Sequence, residues 1–381
     1  MNAISSGARA SVPPGTKTAE LDNATHTLFA LTLARTPLGR AGRGAAVALV
    51  LASNAPDIDV VATAGGTGSY LTWHRGPTHG LLGIVGLACV VAGLVSLGLR
   101  TIGRSSNESP DAPFRKLVPI CLIGVLCHVL MDLPTVYGTR VLSPFDWHWF
   151  SLDWMPIIDV YLLGALMAGL LFGSESASAR QRNVAIVLVL MGANYGLRAA
   201  AHHVAIANAP RLFGPRLPPP CQAAATSGAS TVEYWPRPAV TTPSAAGTRC
   251  LVQFVAMPGF ISPFQWRVVA QLSNAYEIRD IDLLDRRVRQ PPNASEVIRR
   301  TTLRYPNVWT APVWTAASTE LGRRFLGFSR LPDARATIEP GGTTSVRWDD
   351  MRFVGPRGPG LFAAFVRIAA DGHVLEERFG P

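Results

Sequence analysis

Ionisable side chains stand beside apolar runs in the first half of the sequence, at spacings that suit metal binding. In HVLMD, His128 and Asp132 lie four residues apart, on one face of a helix, so both can reach one ion. In PDID, Asp57 and Asp59 follow a proline that ends the preceding helix, and two carboxylates there could share metal ions. A buried His–Asp hydrogen bond and a solvated turn are the ordinary alternatives for these two patterns.

A second motif, HRGPTH, precedes the most apolar stretch of the chain. Its histidines, His74 and His79, lie five residues apart across a Gly-Pro turn, which lets both rings point to one side. Arg75 offers a planar guanidinium that suits phosphate or carboxylate; the alternative is an interfacial anchor that meets lipid headgroups. Two further candidates, His26 and Asp159, adjoin shorter apolar runs, and His26 taken alone is more often a core histidine.

The elements that must position these residues are apolar helices. The 381-residue chain is 48% hydrophobic and 16% charged, with a mean hydropathy of +0.22, which is too apolar for two soluble domains. The runs that predict helices are 28–34, 44–56, 80–99, 117–131, 157–173 and 183–197. The last four are near the length of ~17–25 residues that crosses a bilayer, whereas the first two predict helices of unspecified depth.

Lysine and arginine set the predicted orientation. They crowd three loops, around 35–43, 100–116 and 180–182, which the positive-inside rule places in the cytoplasm. The opposite face then collects the candidate metal ligands His26, Asp57, Asp59, His74, His79, His128, Asp132 and Asp159. The sequence thus predicts a multi-pass bacterial inner-membrane protein with its polar site at the extracytoplasmic surface. The net charge of +10 lacks the basic stripe with interleaved aromatics that nucleic-acid binding requires, so that class is excluded.

After residue 200 the chain changes character. The predicted fold is a polytopic α-helical membrane domain, 25–200, followed by a linker, 201–247, and a small mainly β (α+β) extracytoplasmic domain, 248–381; residues 1–24 predict a disordered arm. The predicted strands are 250–257, 266–272, 276–284, 344–354 and 361–379, with an Asp-Gly hairpin in the last and a helix near 315–327. Cys221 and Cys250 would lie in an oxidising compartment. A disulfide between them and two free thiols are both open alternatives.

Mixed histidine and carboxylate ligands suit Zn²⁺, with Mn²⁺ or Fe²⁺ as alternatives. Eight candidates exceed the needs of one tetrahedral ion, so we expect two ions, or one ion with supporting residues. Such a site acidifies a bound water and polarises a carbonyl or phosphoryl oxygen, which predicts hydrolysis. Asp57 or Asp59 would be the general base, and Arg75 would hold an anionic group of the substrate. The glycine-rich GGTGSY (65–70) lacks the lysine of a phosphate-binding loop.

Aromatic side chains cluster in FDWHWFSLDW, residues 145–154. Tryptophan partitions to the headgroup level of a bilayer. The segment therefore predicts a loop on the membrane surface, either a lid or lipid-facing wall or simply an aromatic belt.

Four motifs together resemble the YdjM-like membrane-bound metal-dependent hydrolases over about residues 24–200: THTLF (25–29), PDID (56–59), HRGPTHG (74–80) and HVLMDLPTVYGTRVLSPF (128–145). The resemblance implies metal ligation by His26, Asp57, Asp59, His74, His79, His128 and Asp132. That family also looks distantly similar to helical zinc phospholipases C, which implies phosphoester substrates. Beyond residue 200 the resemblance extends only to longer members with an SPFQWRVV-like segment (262–269), and it implies no activity there.

The function predicted from the sequence is a membrane metal-dependent hydrolase that acts on an ester or phosphoester, with membrane lipids among the candidate substrates. Two other classes stay open. One is a transporter that relays protons or a metal through the bilayer by the same histidines and aspartates. The other is a non-catalytic scaffold whose outer domain binds partners.

Overall fold

The structure is a computed structural model that describes residues 16–102, 109–172, 176–214, 217–221, 232–236, 249–288, 303–355 and 362–380, with side chains from residue 23 onward. The helices of the first half are α1 (Thr16–Ala34), α2 (Ala45–Asn54), α3 (Gly66–Trp73), α4 (Leu81–Thr101), α5 (Phe114–Asp132), α6 (Val160–Leu171) and α7 (Ala177–Phe213). A 3₁₀ helix, Pro56–Gly65, joins α2 to α3. This N-terminal half is helical, as predicted.

Among the described residues, three helices are long and apolar enough to cross a membrane: α4, α5 and α7. α2 together with Pro56–Trp73 would make a fourth span, bent by 45°. The predicted span at 157–173 is wrong, because α6 begins only after Asp159, whose side chain accepts from the backbone N–H groups of Tyr161 and Leu162. The 12 residues of α6 rise about 18 Å, well below the ~30 Å of a bilayer core.

A glycine sets the distance between α2 and α5. A Cβ atom on Gly124 would lie 2.9 Å from the Cβ of Ala52 and 3.0 Å from the carbonyl oxygen of Leu49. Only glycine fits this approach without displacement of a helix. Ser53 stabilises the contact, because its hydroxyl donates to the Gly124 carbonyl at 3.3 Å. The end of α2 therefore lies beside the part of α5 that carries the predicted ligands.

Arginines join the helix ends at the opposite end of the bundle. Arg35, after α1, donates to the carbonyls of Gly169 and Leu170 in α6 at 2.8 and 2.7 Å. Arg43 pairs with Asp111 at 2.6 Å and also reaches carbonyls at the end of α4. The basic loops used to predict orientation thus meet at one end of the helices.

α7 is longer than the sequence predicted. It continues to Phe213, so the predicted linker 201–247 begins inside a helix. The extension buries Ala201, Ala205 and Ala209 against Trp266 and other residues of a β-sheet. Alanine favours helix, and the sheet supplies the apolar surface that the sequence pattern could not reveal.

The described part of the second half contains two four-stranded antiparallel sheets. The first has the order β3 (Leu251–Pro258), β4 (Gln265–Leu272), β5 (Ala275–Asp282), β6 (Leu303–Pro306). The second has the order β10 (Val374–Phe379), β9 (Ala363–Ile368), β8 (Thr344–Asp350), β7 (Pro332–Ile338). Two helices, α8 (Ala311–Ala317) and α9 (Glu320–Phe328), lie between them in sequence where one was predicted. The β-rich character is confirmed, and Gly372 in the last hairpin has a φ of 88°.

One apolar cluster contains residues of both halves, so the β-rich half packs against the helical half. A small sheet pairs β1 (Trp149–Ser151) with β2 (Glu233–Trp235). Trp149 and Trp235 are buried and stack with ring centroids 5.9 Å apart. Trp149 also meets Phe328 of α9, and Tyr137 joins the same cluster. Trp149 was expected at the headgroup level and instead lies inside the protein.

Two further expectations concern chain segments outside the helical bundle. Cys221 and Cys250 form a disulfide, with Cα atoms 4.9 Å apart. α1 begins at Thr16, so the last part of the predicted arm, up to residue 24, is helical. Residues 1–15 lie outside the described residues.

Candidate metal centre

Four of the predicted ligands bring one donor atom each to a common point: Asp57, His79, His128 and Asp132. The two histidine Nε2 atoms lie 3.2 Å apart. Asp57 Oδ1 lies 3.6 and 3.5 Å from them, and Asp132 Oδ2 lies 3.3 and 3.4 Å from them. The 3₁₀ helix supplies Asp57, the turn before α4 supplies His79, and α5 supplies the other two residues.

These separations fit the edges of a coordination tetrahedron. Ligand atoms placed roughly 2.0–2.2 Å from a tetrahedral zinc ion lie about 3.3–3.6 Å from one another. Five of the six edges are given above, and they range from 3.2 to 3.6 Å. Two imidazole nitrogens and two carboxylate oxygens also form a chemically suitable donor set for a divalent ion.

The packing of α2 against α5 fixes which nitrogen His128 offers. Its Nδ1 lies 2.8 Å from the carbonyl oxygen of Ser53, which can only accept. Nδ1 therefore carries the proton, and the Nε2 lone pair faces the ligand group. The close approach at Gly124, one turn earlier in α5, is what brings Ser53 within reach.

His79 is oriented in the same way. Its Nδ1 lies 3.0 Å from the Thr78 hydroxyl and 3.4 Å from Asp59 Oδ2. A proton on Nδ1 satisfies these oxygens and leaves the Nε2 lone pair toward His128. Four electron-pair donors then face one another in a buried site, and a cation is what makes such an arrangement favourable.

Asp59 organises the HRGPTH turn and lies outside the group of four. Its carboxylate accepts from the backbone N–H of Arg75 at 2.7 Å and from the Thr78 hydroxyl at 3.2 Å. It also lies 3.0 Å from Nδ1 of His74, whose ring packs on Tyr70. These partners occupy the oxygens of Asp59 and one nitrogen of His74. Both residues were predicted as ligands; in the structure they make these contacts and are not among the four converging donors.

Arg75 is buried, which excludes the headgroup anchor considered for it. Its guanidinium lies 3.1 Å from Asp132 Oδ1 and 5.0 Å from the ring centre of Tyr137. Nη1 also donates to Thr135 and to the Gly138 carbonyl at 3.3 Å. Arg75 therefore holds one oxygen of Asp132, while the other oxygen faces the histidines. Burial raises the pKa of Tyr137 to about 12, so its phenol stays neutral beside this cation.

The two remaining candidates have different surroundings. His26 stacks on His128 with centroids 3.9 Å apart, and its Nε2 lies 3.4 Å from Asp132 Oδ1. It borders the centre without joining the four. Asp159, also predicted as a ligand, lies outside the group of four: it caps α6 and forms a buried ion pair with Arg198 at 2.6 Å.

Several supporting residues were missed by sequence reasoning. The Ser53 carbonyl has no sequence signature, and Thr78 is one of many threonines. Arg198 did carry a signal, because an arginine that directly follows the apolar run 183–197 requires a buried or interfacial partner. That partner is Asp159.

The side chain of Asp57 is 12% exposed, while those of the other three are exposed by 1% or less. Asp57 therefore marks the open side of the centre. Apolar side chains on the same 3₁₀ helix, Ile58 and Val61, are 57% and 67% exposed.

These features define a class: a helical membrane protein whose buried histidines and aspartates could hold a divalent metal. Residues 21–205 of the chain match the model of the YdjM inner membrane protein family. The chain is also 25% identical over 146 residues to the uncharacterized protein YfhP of Bacillus subtilis (strain 168), a match that covers 38% of this chain and 42% of YfhP. The chain thus spans less than half the length of that relative. No solved structure shows a significant match.

Proposed function

We propose that the protein is an integral-membrane metal-dependent hydrolase that acts on an ester or phosphoester at the extracytoplasmic surface of the membrane. The observation that supports it most is the convergence of four donor atoms, five of whose six separations are 3.2 to 3.6 Å, with the far nitrogen of each histidine already bonded to an oxygen. This donor set favours Zn²⁺, and it would also bind Mn²⁺ or Fe²⁺. One ion accounts for the four residues.

A bound ion of this kind supplies Lewis acidity, which polarises a carbonyl or phosphoryl oxygen and makes water easier to deprotonate. The residues of the chain provide the rest. Asp57 is the proton acceptor in this proposal, because it alone among the four is open to an approaching water or substrate. Asp59 is unsuited to that role, since its Oδ2 already accepts from Arg75 and Thr78 and its Oδ1 faces Nδ1 of His74. Arg75 holds Asp132 in place.

The location on the extracytoplasmic side is also a proposal. It is supported by the arginine-rich helix ends, which the positive-inside rule assigns to the cytoplasm, and by their distance along the helices from the ligand group. The Cys221–Cys250 disulfide is typical of an oxidising compartment. Both point the metal centre and the β-rich half away from the cytoplasm.

A relay that carries protons or metal across the bilayer is less well supported. Such a relay needs ionisable groups at successive depths. Seven of the eight predicted ligands here instead form one connected group of contacts, and the eighth, Asp159, is paired with Arg198.

The test is metal content combined with hydrolysis. Purified protein is expected to contain about one equivalent of zinc or manganese by elemental analysis, and to cleave a chromogenic ester or phosphoester in a chelator-sensitive manner. The double variant His128→Ala, Asp132→Ala should lose the metal. A matched control replaces the exposed pair His148 and Asp146, which contact each other at 2.5 Å outside the centre. Full metal content in the first double variant would sink the ligand assignment.

A further inference from the structure

Arg140 is a buried cation without a carboxylate partner among the described residues. It is 5% exposed, its Nη1 donates to the Thr72 carbonyl, and its Nε has no hydrogen-bond partner. Four other buried arginines each pair with a carboxylate: Arg75 with Asp132, Arg198 with Asp159, Arg330 with Asp153, and Arg352 with Asp350. Burial lowers the pKa of Arg140 to about 10, which still leaves it charged at neutral pH. A buried charge of this kind calls for an anion.

Tryptophans surround this guanidinium. It lies 4.3 Å from the ring centre of buried Trp149 and 5.3 Å from that of Trp147. Trp147 is 39% exposed and meets Trp73, which is 48% exposed, edge to face at 5.7 Å. The cation therefore lies behind a pair of half-exposed indoles.

The site lies at the end of a membrane span. α4 starts at Leu81 after Gly80, and a Cβ atom on Gly80 would lie 2.0 Å from the carbonyl oxygen of Ser143. The turn from Arg140 to Ser143, closed by a hydrogen bond at 3.0 Å, thus packs on the first residues of α4. Leu81 and Leu82 are 56% and 57% exposed, as expected of side chains that face lipid. Arg140 and its tryptophans are therefore at headgroup depth.

This turn also adjoins the metal centre. The backbone N–H of Arg140 donates to the carbonyl of Arg75 at 3.0 Å, and the side chain of Arg75 binds Asp132. The backbone at Arg140 is therefore bonded to the residue whose side chain holds Asp132.

We infer that Arg140, together with Trp73 and Trp147, binds the phosphate of a membrane phospholipid headgroup. The guanidinium supplies the planar donors that phosphate oxygens accept, and the indoles cover the headgroup from the water side. The exposed leucines at the start of α4 favour a lipid over free phosphate, because they leave room for acyl chains beside the cation. Where the proposed hydrolase function is correct, this site selects phospholipids as its substrate class; the binding itself does not depend on that function.

Native mass spectrometry of the full chain in a neutral detergent tests the inference. The protein is first treated with chelator, so that a bound metal plays no part. Palmitoyl-oleoyl phosphatidylglycerol, dioleoylglycerol and inorganic phosphate are titrated separately. One phosphatidylglycerol is expected to bind, with much weaker binding of the other two. Arg140→Gln should weaken binding about tenfold or more, as for loss of a charge-assisted hydrogen bond. Trp147→Leu and Trp73→Leu should weaken it to a smaller extent.

Matched controls are Arg335→Gln and Trp314→Leu, two exposed positions in the β-rich half that should leave binding unchanged. Equal binding by wild type and Arg140→Gln would overturn the inference, as would equal affinity for dioleoylglycerol. Inorganic phosphate that binds as tightly as the lipid would assign the site to the free ion and overturn the lipid. If Arg140→Gln does not fold, the two tryptophan variants decide: undiminished binding in both contradicts the site. Metal content, measured separately, reports on the proposed function alone.

Discussion

Nε2 of His79 and Nε2 of His128 lie 3.2 Å apart, although the rings come from separate segments and each has its Nδ1 directed at an oxygen. Two protonated Nδ1 atoms imply two bare Nε2 lone pairs that face each other. The same gap is bordered by oxygens of Asp57 and Asp132. The contacts behind the histidines therefore matter as much for a metal as the ligands themselves.

Asp59 should control metal affinity without being a ligand. Asp59→Asn removes a carboxylate that accepts from Arg75 and Thr78 and faces Nδ1 of His79. We expect affinity to fall by about 10–100-fold, the usual cost of losing such a contact. Competition with a fluorescent zinc chelator measures this. Asp146→Asn, at an exposed position, is the control, and an unchanged affinity for Asp59→Asn would contradict the assignment.

The glycine between α2 and α5 should link stability to the metal centre. In Gly124→Ala the new methyl group would meet Ala52 and the Leu49 carbonyl, so the helices must separate. We expect a loss of about 1–3 kcal/mol in unfolding free energy, as for other overpacked cores, and weaker metal binding because Ser53 moves from His128. Gly86→Ala, where a Cβ meets nothing within 4 Å, should change neither. Thermal unfolding in detergent and metal titration check both effects.

The Asp159–Arg198 pair should be structural. Asp159→Asn leaves the guanidinium of Arg198 buried without a charged partner, and the expected loss is about 3–5 kcal/mol. Metal stoichiometry should stay the same. The double variant Asp159→Asn, Arg198→Gln should recover part of the stability, because no charge is then stranded. Loss of metal from a folded Asp159→Asn protein would restore Asp159 as a ligand.

Asp333 should make the β-rich half less stable at high pH. Burial, opposed in part by Arg335, raises its pKa from 3.8 to about 7. Since the folded state favours the protonated acid, its contribution is complete below about pH 4 and is lost as the pH rises through 7. Asp333→Asn should therefore be more stable than wild type at pH 8 and show a flatter profile from pH 4 to 8. Denaturation midpoints across this range measure it; Glu377→Gln, on exposed β10, should keep the wild-type slope.

Thiol labelling should place the centre on the extracytoplasmic side. With Cys89, Cys121 and Cys127 replaced by alanine, single cysteines are introduced for Ile58 and Ile102, which are 57% and 64% exposed. An impermeant maleimide added to intact spheroplasts should label Ile58→Cys, and should label Ile102→Cys only after lysis. Labelling of Ile102→Cys from outside would reverse the proposed topology.

Local sequence patterns predicted part of the site well. His128 and Asp132 share a helix face whatever their surroundings, and a proline before Asp57 guarantees a turn. The roles of Asp59 and Asp159 could not be predicted in the same way. Each depends on a partner from another segment, Thr78 or Arg198, and a carboxylate gives no sequence sign of whether it will meet a metal or a guanidinium.

The end of α7 and the burial of Trp149 could not be predicted for one reason: both depend on contacts with residues far along the chain. α7 runs past residue 197 because its alanine-rich end packs on a sheet formed much later in the chain. Trp149 is buried because Trp235 stacks on it; an amphipathic ring beside a span is otherwise expected at the interface. Neither contact leaves a periodic signal.

Because Trp149 pairs with Trp235, the β-rich half helps to support α5, the helix that carries His128 and Asp132. Arg352, from beyond β8, donates to the carbonyls of Val136 and Tyr137, only a few residues after Asp132. A protein or ligand that binds the β-rich half and displaces Arg352 would therefore shift the segment that follows α5. The two halves are therefore structurally coupled: a substitution of Trp235 or Arg352 in one half would alter the backbone that positions the centre in the other.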